Sequence, residues 1–216
     1  MYLPSAFAET RVEVLHALMR ERPFATLVTQ GATGIVADHL PLRLAVGADG
    51  RCRLLGHVAR ANPLWRDGAG REALAVFHGP QAYVTPSWYP TKREHGRAVP
   101  TWNYVVVHAR GRLSAIEDPQ RLRALLDDLV EHHESEKPEP WRIDDAPADY
   151  LEKMLAAIVG IEIEVAELTG KWKTSQNQPV QNRHGVATGL GALGGDDARA
   201  MSALVAATLD PPQSAP

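Results

Sequence analysis

The sequence predicts an α+β fold, mainly β, in which a barrel or sandwich of short strands is flanked by helices. Three observations carry this. Between residues 24 and 116, short β-forming runs alternate with Gly, Pro and Asp-Gly turn signals. Elsewhere, three segments place apolar residues at helical spacing. The run Ile161-Glu162-Ile163-Glu164-Val165 alternates strictly, as a strand with one buried face does.

The elements follow in order. Residues 9–20 read as a helix, with Val12, Leu15, Leu18 and Met19 on one face and Pro23 ending it. Residues 24–30 are rich in β-formers, Gly31 and Gly34 mark a turn, and 35–46 is extended again with an interruption at Pro41. Ala48-Asp49-Gly50 is a hairpin signal, and 53–58 is the returning strand. Ala61-Asn62-Pro63 breaks the pattern before a short helical turn over 64–70. Residues 73–78 and 82–85 read as two strands separated by a turn at Gly79-Pro80. Residues 86–100 form a loop, and 101–116 a long strand with a kink expected at Gly111.

Asp118 is a good N-cap and Pro119 suits the first helical position. Leu122, Leu125, Leu126 and Leu129 stripe that helix, and the charged, proline-rich 134–141 follows as a surface loop. A third helix is expected from Pro147, carrying Leu151, Met154, Leu155 and Ile158, with Gly160 as its stop. After the strand at 161–165, Thr174 or Ser175 is placed to cap a helix running to about Gly185. Residues 196–209 read as a last helix and 211–216 as a loose tail.

Composition bounds the function. The chain has 216 residues, 44% hydrophobic and 23% charged, enough for a core without disulfides or metal. A single cysteine, Cys52, excludes a disulfide framework and a cysteine-based zinc site. A net charge of −3 supplies no global attraction to nucleic acid or anionic membrane. No run of 18 apolar residues is present, and the N-terminus has no basic region leading an apolar one. The expected location is cytoplasmic.

Several motifs dissolve on inspection. Gly189-Leu190-Gly191-Ala192-Leu193-Gly194 matches G-x-G-x-x-G but lacks the preceding strand that a dinucleotide site needs, so it reads as a loop before the last helix. His132 and His133 are neighbours on a helix and cannot face one metal. Ser87 has no local base or oxyanion hole and reads as a turn serine. Lys92, Arg93, His95 and Arg97 lie on a loop rather than on a groove-reading helix.

Two segments stand out. Two Trp and three Tyr fall between residues 83 and 104, interrupted by prolines and flanked by polar residues. Such rings suit a planar ligand or an interface. The run Gly170-Lys171-Trp172-Lys173-Thr174-Ser175-Gln176-Asn177 follows a strand and is expected to open a helix, where lysines, hydroxyls and free N–H groups attract an anion. Together they point to a flat ligand bearing a phosphate.

These pieces occur in a specific order: Met1-Tyr2-Leu3-Pro4 with Phe7, Asp38-His39-Leu40-Pro41-Leu42, and Gly56-His57-Val58-Ala59-Arg60-Ala61-Asn62-Pro63. Residues 77–89, 99–104 and 170–177 complete it. The series resembles the PaiB family of FMN-binding split-barrel proteins, often described as transcriptional regulators. The resemblance spans residues 1–183, and 184–216 is then a C-terminal extension of helix plus tail. It implies a split β-barrel of the FMN-binding type with flanking helices. It also implies a homodimer holding FMN at the subunit interface, with no membrane association.

Carried onto this chain, it assigns phosphate and ribityl contacts to His57, Arg60 and Asn62, with backbone N–H groups at Val58 and Ala59. Arg60 is the expected charge partner of the phosphate. Tyr83, Ser87, Trp88 and Tyr89 border the ring system. Thr101, Trp102 and Asn103 meet its polar edge, and Lys171, Lys173, Gln176 and Asn177 close the anionic end. The alternative within the same fold is an FMN-dependent flavin reductase or small-molecule oxidoreductase using NAD(P)H, since the cofactor carries the chemistry. A haem-binding relative ranks third, as nothing singles out an axial ligand. Direct DNA binding has no support in charge or motif.

Overall fold

The structure is a computed structural model that describes residues 1–209. Among these residues it has eight strands and seven α-helices, joined in part by short 3-10 turns. In chain order they are β1 (Ala8–Glu9), α1 (Val12–Glu21), β2 (Phe24–Gly31), β3 (Gly34–Pro41), β4 (Arg43–Val46) and β5 (Cys52–Ala59). Then follow α2 (Leu64–Asp67), β6 (Glu72–Val84), α3 (Thr91–His95), β7 (Thr101–Ile116) and α4 (Pro119–Glu134). The last are α5 (Ala148–Ala156), β8 (Ile158–Lys173), α6 (Val180–Leu193) and α7 (Asp196–Ala207).

The strands form one sheet in the order β3-β2-β6-β7-β8-β5-β4, and β1 pairs with β8 off that path. The β2–β3 hairpin turns at Ala32-Thr33, bringing Gly31 opposite Gly34, whose φ of 132° only glycine adopts readily. The β4–β5 hairpin turns at the expected Asp49-Gly50, with Gly50 at φ 77°. β5 pairs antiparallel with β8 in a register that sets His57 opposite Gly160 and Leu54 opposite Ile163.

The chain divides into two compact units, with boundaries inside α1, β6, β7 and β8. One contains residues 16–77 and 108–168. Its core is built from Met19, Leu27, Leu54, Phe77, Leu113, Ile161 and Ile163, all fully buried. Burying each such side chain contributes about 1.5–3 kcal/mol. The other contains residues 1–15 and 78–107 and the chain from 169 onward. Its buried residues include Val84, Val107, Val186, Leu190, Met201 and Val205.

Several expectations are corrected. Gly79-Pro80 is not a turn, because β6 runs straight through it. Both residues are buried, so the alternation changes phase there: odd-numbered residues are buried before it and even-numbered ones after. Residues 86–100 contain a 3-10 turn at Pro86–Trp88 and the short α3, which carries Lys92, Arg93 and His95. Gly111 marks a close approach rather than a kink, since a Cβ there would stand 2.1 Å from the Glu164 carbonyl oxygen. Gly160 does not stop a helix. α5 ends at Ala156, and Ile158 already belongs to β8 because β5 pairs with it.

β8 also outruns the expected strand by eight residues, so Lys171 and Lys173 lie on a strand and not at a helix start. α6 begins only at Val180, after Pro179. The glycine-rich 189–194 is mostly the end of α6 rather than a loop. The Asp118 cap forms as expected, its carboxylate accepting the Arg121 N–H at 2.8 Å. The tail at 211–216 lies outside the described residues.

Candidate functional site

The sequence-derived site residues fall into two groups, one in each unit. The larger group is built on β7 and β8 in the unit that holds residues 78–107. Alternation along β8 puts Lys171 and Lys173 on one face. Lys173 Nζ donates to Thr101 Oγ1 at 2.5 Å and to the Trp102 carbonyl at 2.8 Å. Lys171 is only 8% exposed. Its ammonium donates to the Tyr2 carbonyl at 3.1 Å and lies 5.3 Å from the Tyr104 ring and 5.7 Å from the Tyr2 ring.

Neither lysine has a carboxylate within ion-pair distance among the described residues. Burial pushes the Lys173 ammonium below its ordinary range, and the neighbouring Lys171 charge adds to that. A buried cation balanced only by a carbonyl and ring faces is costly, and an anion relieves it.

Beside them Asn103 is fully buried. Its Nδ2 donates to Ser175 Oγ at 2.9 Å, and its Oδ1 is buried with no partner among the described residues. Ser175 holds a φ of 66°, a conformation that costs a non-glycine residue energy. Gln176 closes this turn on itself, accepting from the Thr174 N–H and donating to the Trp172 carbonyl. Asn177 is exposed.

The aromatic part is half open. Tyr83 and Trp102 are 49% and 47% exposed and meet edge to face, 6.1 Å between centroids. Trp102 Nε1 donates to Gln81 Oε1 at 3.1 Å. Ser87 sits in the 3-10 turn, its N–H donating to Thr85 Oγ1. Trp88 packs on α6, and Tyr89 is buried with its hydroxyl unpartnered among the described residues.

The smaller group lies at the end of β5, in the other unit. His57 is half-buried and burial lowers its pKa, while its Nδ1 is buried without a partner among the described residues. Val58 is buried and Ala59 exposed, both paired in the ladder with β8. Arg60 is committed internally: Nε donates to the Ala156 carbonyl at 2.8 Å and one amino group to the Ile158 carbonyl at 2.9 Å. Asn62 holds its own turn, accepting from the Leu64 N–H at 2.9 Å and donating to Asp38 Oδ1 at 2.7 Å. The second Asp38 oxygen is buried and unpartnered among the described residues.

Sequence reasoning missed the roles of Tyr2, Tyr104 and Ser175. Tyr104 comes close to Lys171 because β7 lies beside β8 in the sheet, and Tyr2 because β1 pairs with β8 and sets Ala8 opposite Lys171. A cavity of about 450 Å³ lies instead between the end of α4 and the 140–144 segment. Three of its four carboxylates are already answered: Asp127 and Asp144 by Arg123, Glu134 by Lys137. No group of three or more metal-ligating side chains occurs among the described residues.

Comparison with known proteins adds the following. A family model described as "Putative FMN-binding domain" matches residues 1–167. Over 179 aligned residues the chain is 36% identical to the "Protease synthase and sporulation protein PAI 2" of Bacillus subtilis (strain 168), covering 82% of this chain and 83% of that protein. It is 32% identical over 241 aligned residues to an uncharacterized protein of Emericella nidulans, covering 95% and 96%. Among solved structures it is similar to the flavocytochrome Anf3 from Azotobacter vinelandii, with a TM-score of 0.58 at 16% identity, covering 77% and 69%. It is also similar to the FAD and heme binding protein from Mycobacterium smegmatis, with a TM-score of 0.57 at 20% identity, covering 77% and 73%. At these identities the structural likeness is one of fold.

Proposed function

The chain belongs to this FMN-binding domain family, and from that premise we propose that it binds FMN with the phosphate held by Lys171 and Lys173. The observation that carries the reading is the lysine pair itself, half-buried or buried and without a carboxylate partner among the described residues. Thr101 Oγ1 and Asn103 Oδ1, the latter buried and unpartnered among the described residues, offer further polar contacts, and Tyr83 and Trp102 offer ring faces. The residues therefore fit an anionic, flat ligand. FMN supplies hydride or single-electron chemistry when bound, and the protein's part is to hold and orient it.

In the other unit, His57 and the backbone at Val58 and Ala59 are proposed as further ligand contacts. Arg60 and Asn62 are proposed to act by fixing that segment. Gln176 shapes the turn after β8, and Ser87, Trp88, Tyr89 and Asn177 complete the proposed set.

We further propose that the protein works as a homodimer in transcriptional regulation. The exposed rings of Tyr83 and Trp102 and the exposed Val99 suit a second copy of the chain. The regulatory role rests on the Bacillus relative, whose name ties that protein to protease synthesis and sporulation. The test is a titration followed by gel filtration. The wild-type protein is expected to retain the flavin absorption bands, and Lys173→Ala to lose them at the same FMN concentration. Equal retention by both would remove the lysine from the site. Rapid reduction of the retained flavin by NADH or NADPH would favour an oxidoreductase over a regulator.

A further inference from the structure

Trp88 rests on α6 at two points. A Cβ built on Gly185 would stand 1.9 Å from the Trp88 carbonyl oxygen, and one on Gly189 would stand 2.3 Å from Cε2 of the indole. Neither position has room for a side chain. The two glycines are four residues apart, so they share one face of the helix. Gly191, off that face, would meet only Ser202 Oγ at 3.4 Å. Packing thus explains Gly189, the first glycine of the stretch that resembles a nucleotide motif, and Gly185 before it.

The same helix holds the far side of the turn. Asn182 is buried, and its Nδ2 donates to Thr91 Oγ1 at 2.9 Å. Its Oδ1 accepts from the Thr91 N–H at 3.4 Å. Between these two anchors lies Tyr89, 4% exposed, whose hydroxyl is buried with no hydrogen-bond partner among the described residues. An unsatisfied buried hydroxyl costs stability. Burial also raises its pKa, so the phenol remains a donor at neutral pH.

We infer that α6 is a positioning element for the ligand site, and that the Tyr89 hydroxyl it holds donates a hydrogen bond to the bound ligand. The acceptor is a carbonyl or phosphate oxygen or a ring nitrogen. The family model stops at residue 167, so this assigns a role to a helix beyond it. The inference rests on the flavin reading, because FMN is the ligand that offers those acceptors.

The experiment compares the full chain with Tyr89→Phe, Gly189→Ala and Gly191→Ala, measuring FMN affinity by flavin fluorescence and thermal midpoint without ligand. Tyr89→Phe is expected to weaken FMN binding about tenfold while raising the midpoint. A purely structural tyrosine would not produce those opposite signs. Gly189→Ala is expected to weaken binding and alter the near-ultraviolet signal of Trp88, and Gly191→Ala to change neither. Tyr89→Phe binding FMN as tightly as wild type overturns the hydroxyl's role. Gly189→Ala behaving like Gly191→Ala overturns that of the helix. Failure of the wild type to bind FMN overturns the flavin reading, and this inference with it.

Discussion

Lys171 is buried to 8% exposure beside two tyrosine rings, and its only hydrogen-bond acceptor among the described residues is a backbone carbonyl. That arrangement is stable when an anion shares it. Arg60 presents the contrast. Its fork is spent on the Ala156 and Ile158 carbonyls, tying β5 to the end of α5. Arg60→Ala is therefore expected to lower the thermal midpoint while leaving FMN affinity within about twofold. An affinity loss at unchanged midpoint would return Arg60 to the phosphate.

His57 makes a pH prediction. Its folded pKa is depressed by burial, so the native state keeps the ring neutral while the unfolded chain takes up a proton near pH 6.5. The contribution is complete above that value and is lost as pH falls below it. His16, buried beside Cys52, shifts in the same direction. Thermal midpoints are expected to fall between pH 7 and pH 5, and less steeply in His57→Leu. Parallel curves would contradict this.

The residue types of this site were legible in the sequence, but the backbone beneath the lysines was not. Gly170 looks like a strand end, yet it continues β8. A Cβ there would stand 2.3 Å from Leu15 Cδ2 and 3.0 Å from the Glu9 carbonyl oxygen, so glycine serves close packing against α1 and β1.

At the scale of elements, local chemistry sufficed where the signal was local. The Asp118 cap, the hairpins at Gly34 and Gly50, and the full extent of β7 follow from short-range rules. Asp118→Ala is expected to cost about 1 kcal/mol, measurable by urea unfolding, and no change would mean that the cap is redundant. The errors arose where distant pairing decides. β5 recruits 158–164 into β8, overriding the helical pattern that runs up to Gly160. Gly111 is a tertiary requirement of the same sort, invisible without the Glu164 backbone 2.1 Å from its absent Cβ. Gly111→Ala is expected to cost about 1–3 kcal/mol or more in the same assay. A neutral result would show that β7 and β8 separate freely there.

For the whole molecule, composition excluded more than it identified. No helix among the described residues is long and apolar enough to cross a membrane. The mild negative net charge supplies no global attraction to DNA. The proposed homodimer is a claim at this scale. Light scattering is expected to give twice the chain mass, and a monomer at micromolar concentration would contradict the dimer. Cofactor identity came from ordered motifs spread over the chain, which no single element carries.

The most direct measurement is a paired fluorescence titration with FMN and riboflavin, which share the ring and differ in the phosphate. With Lys171 and Lys173 holding the phosphate, FMN is expected to bind about 10- to 100-fold more tightly than riboflavin. Equal affinities, or no binding of either, would contradict the assignment.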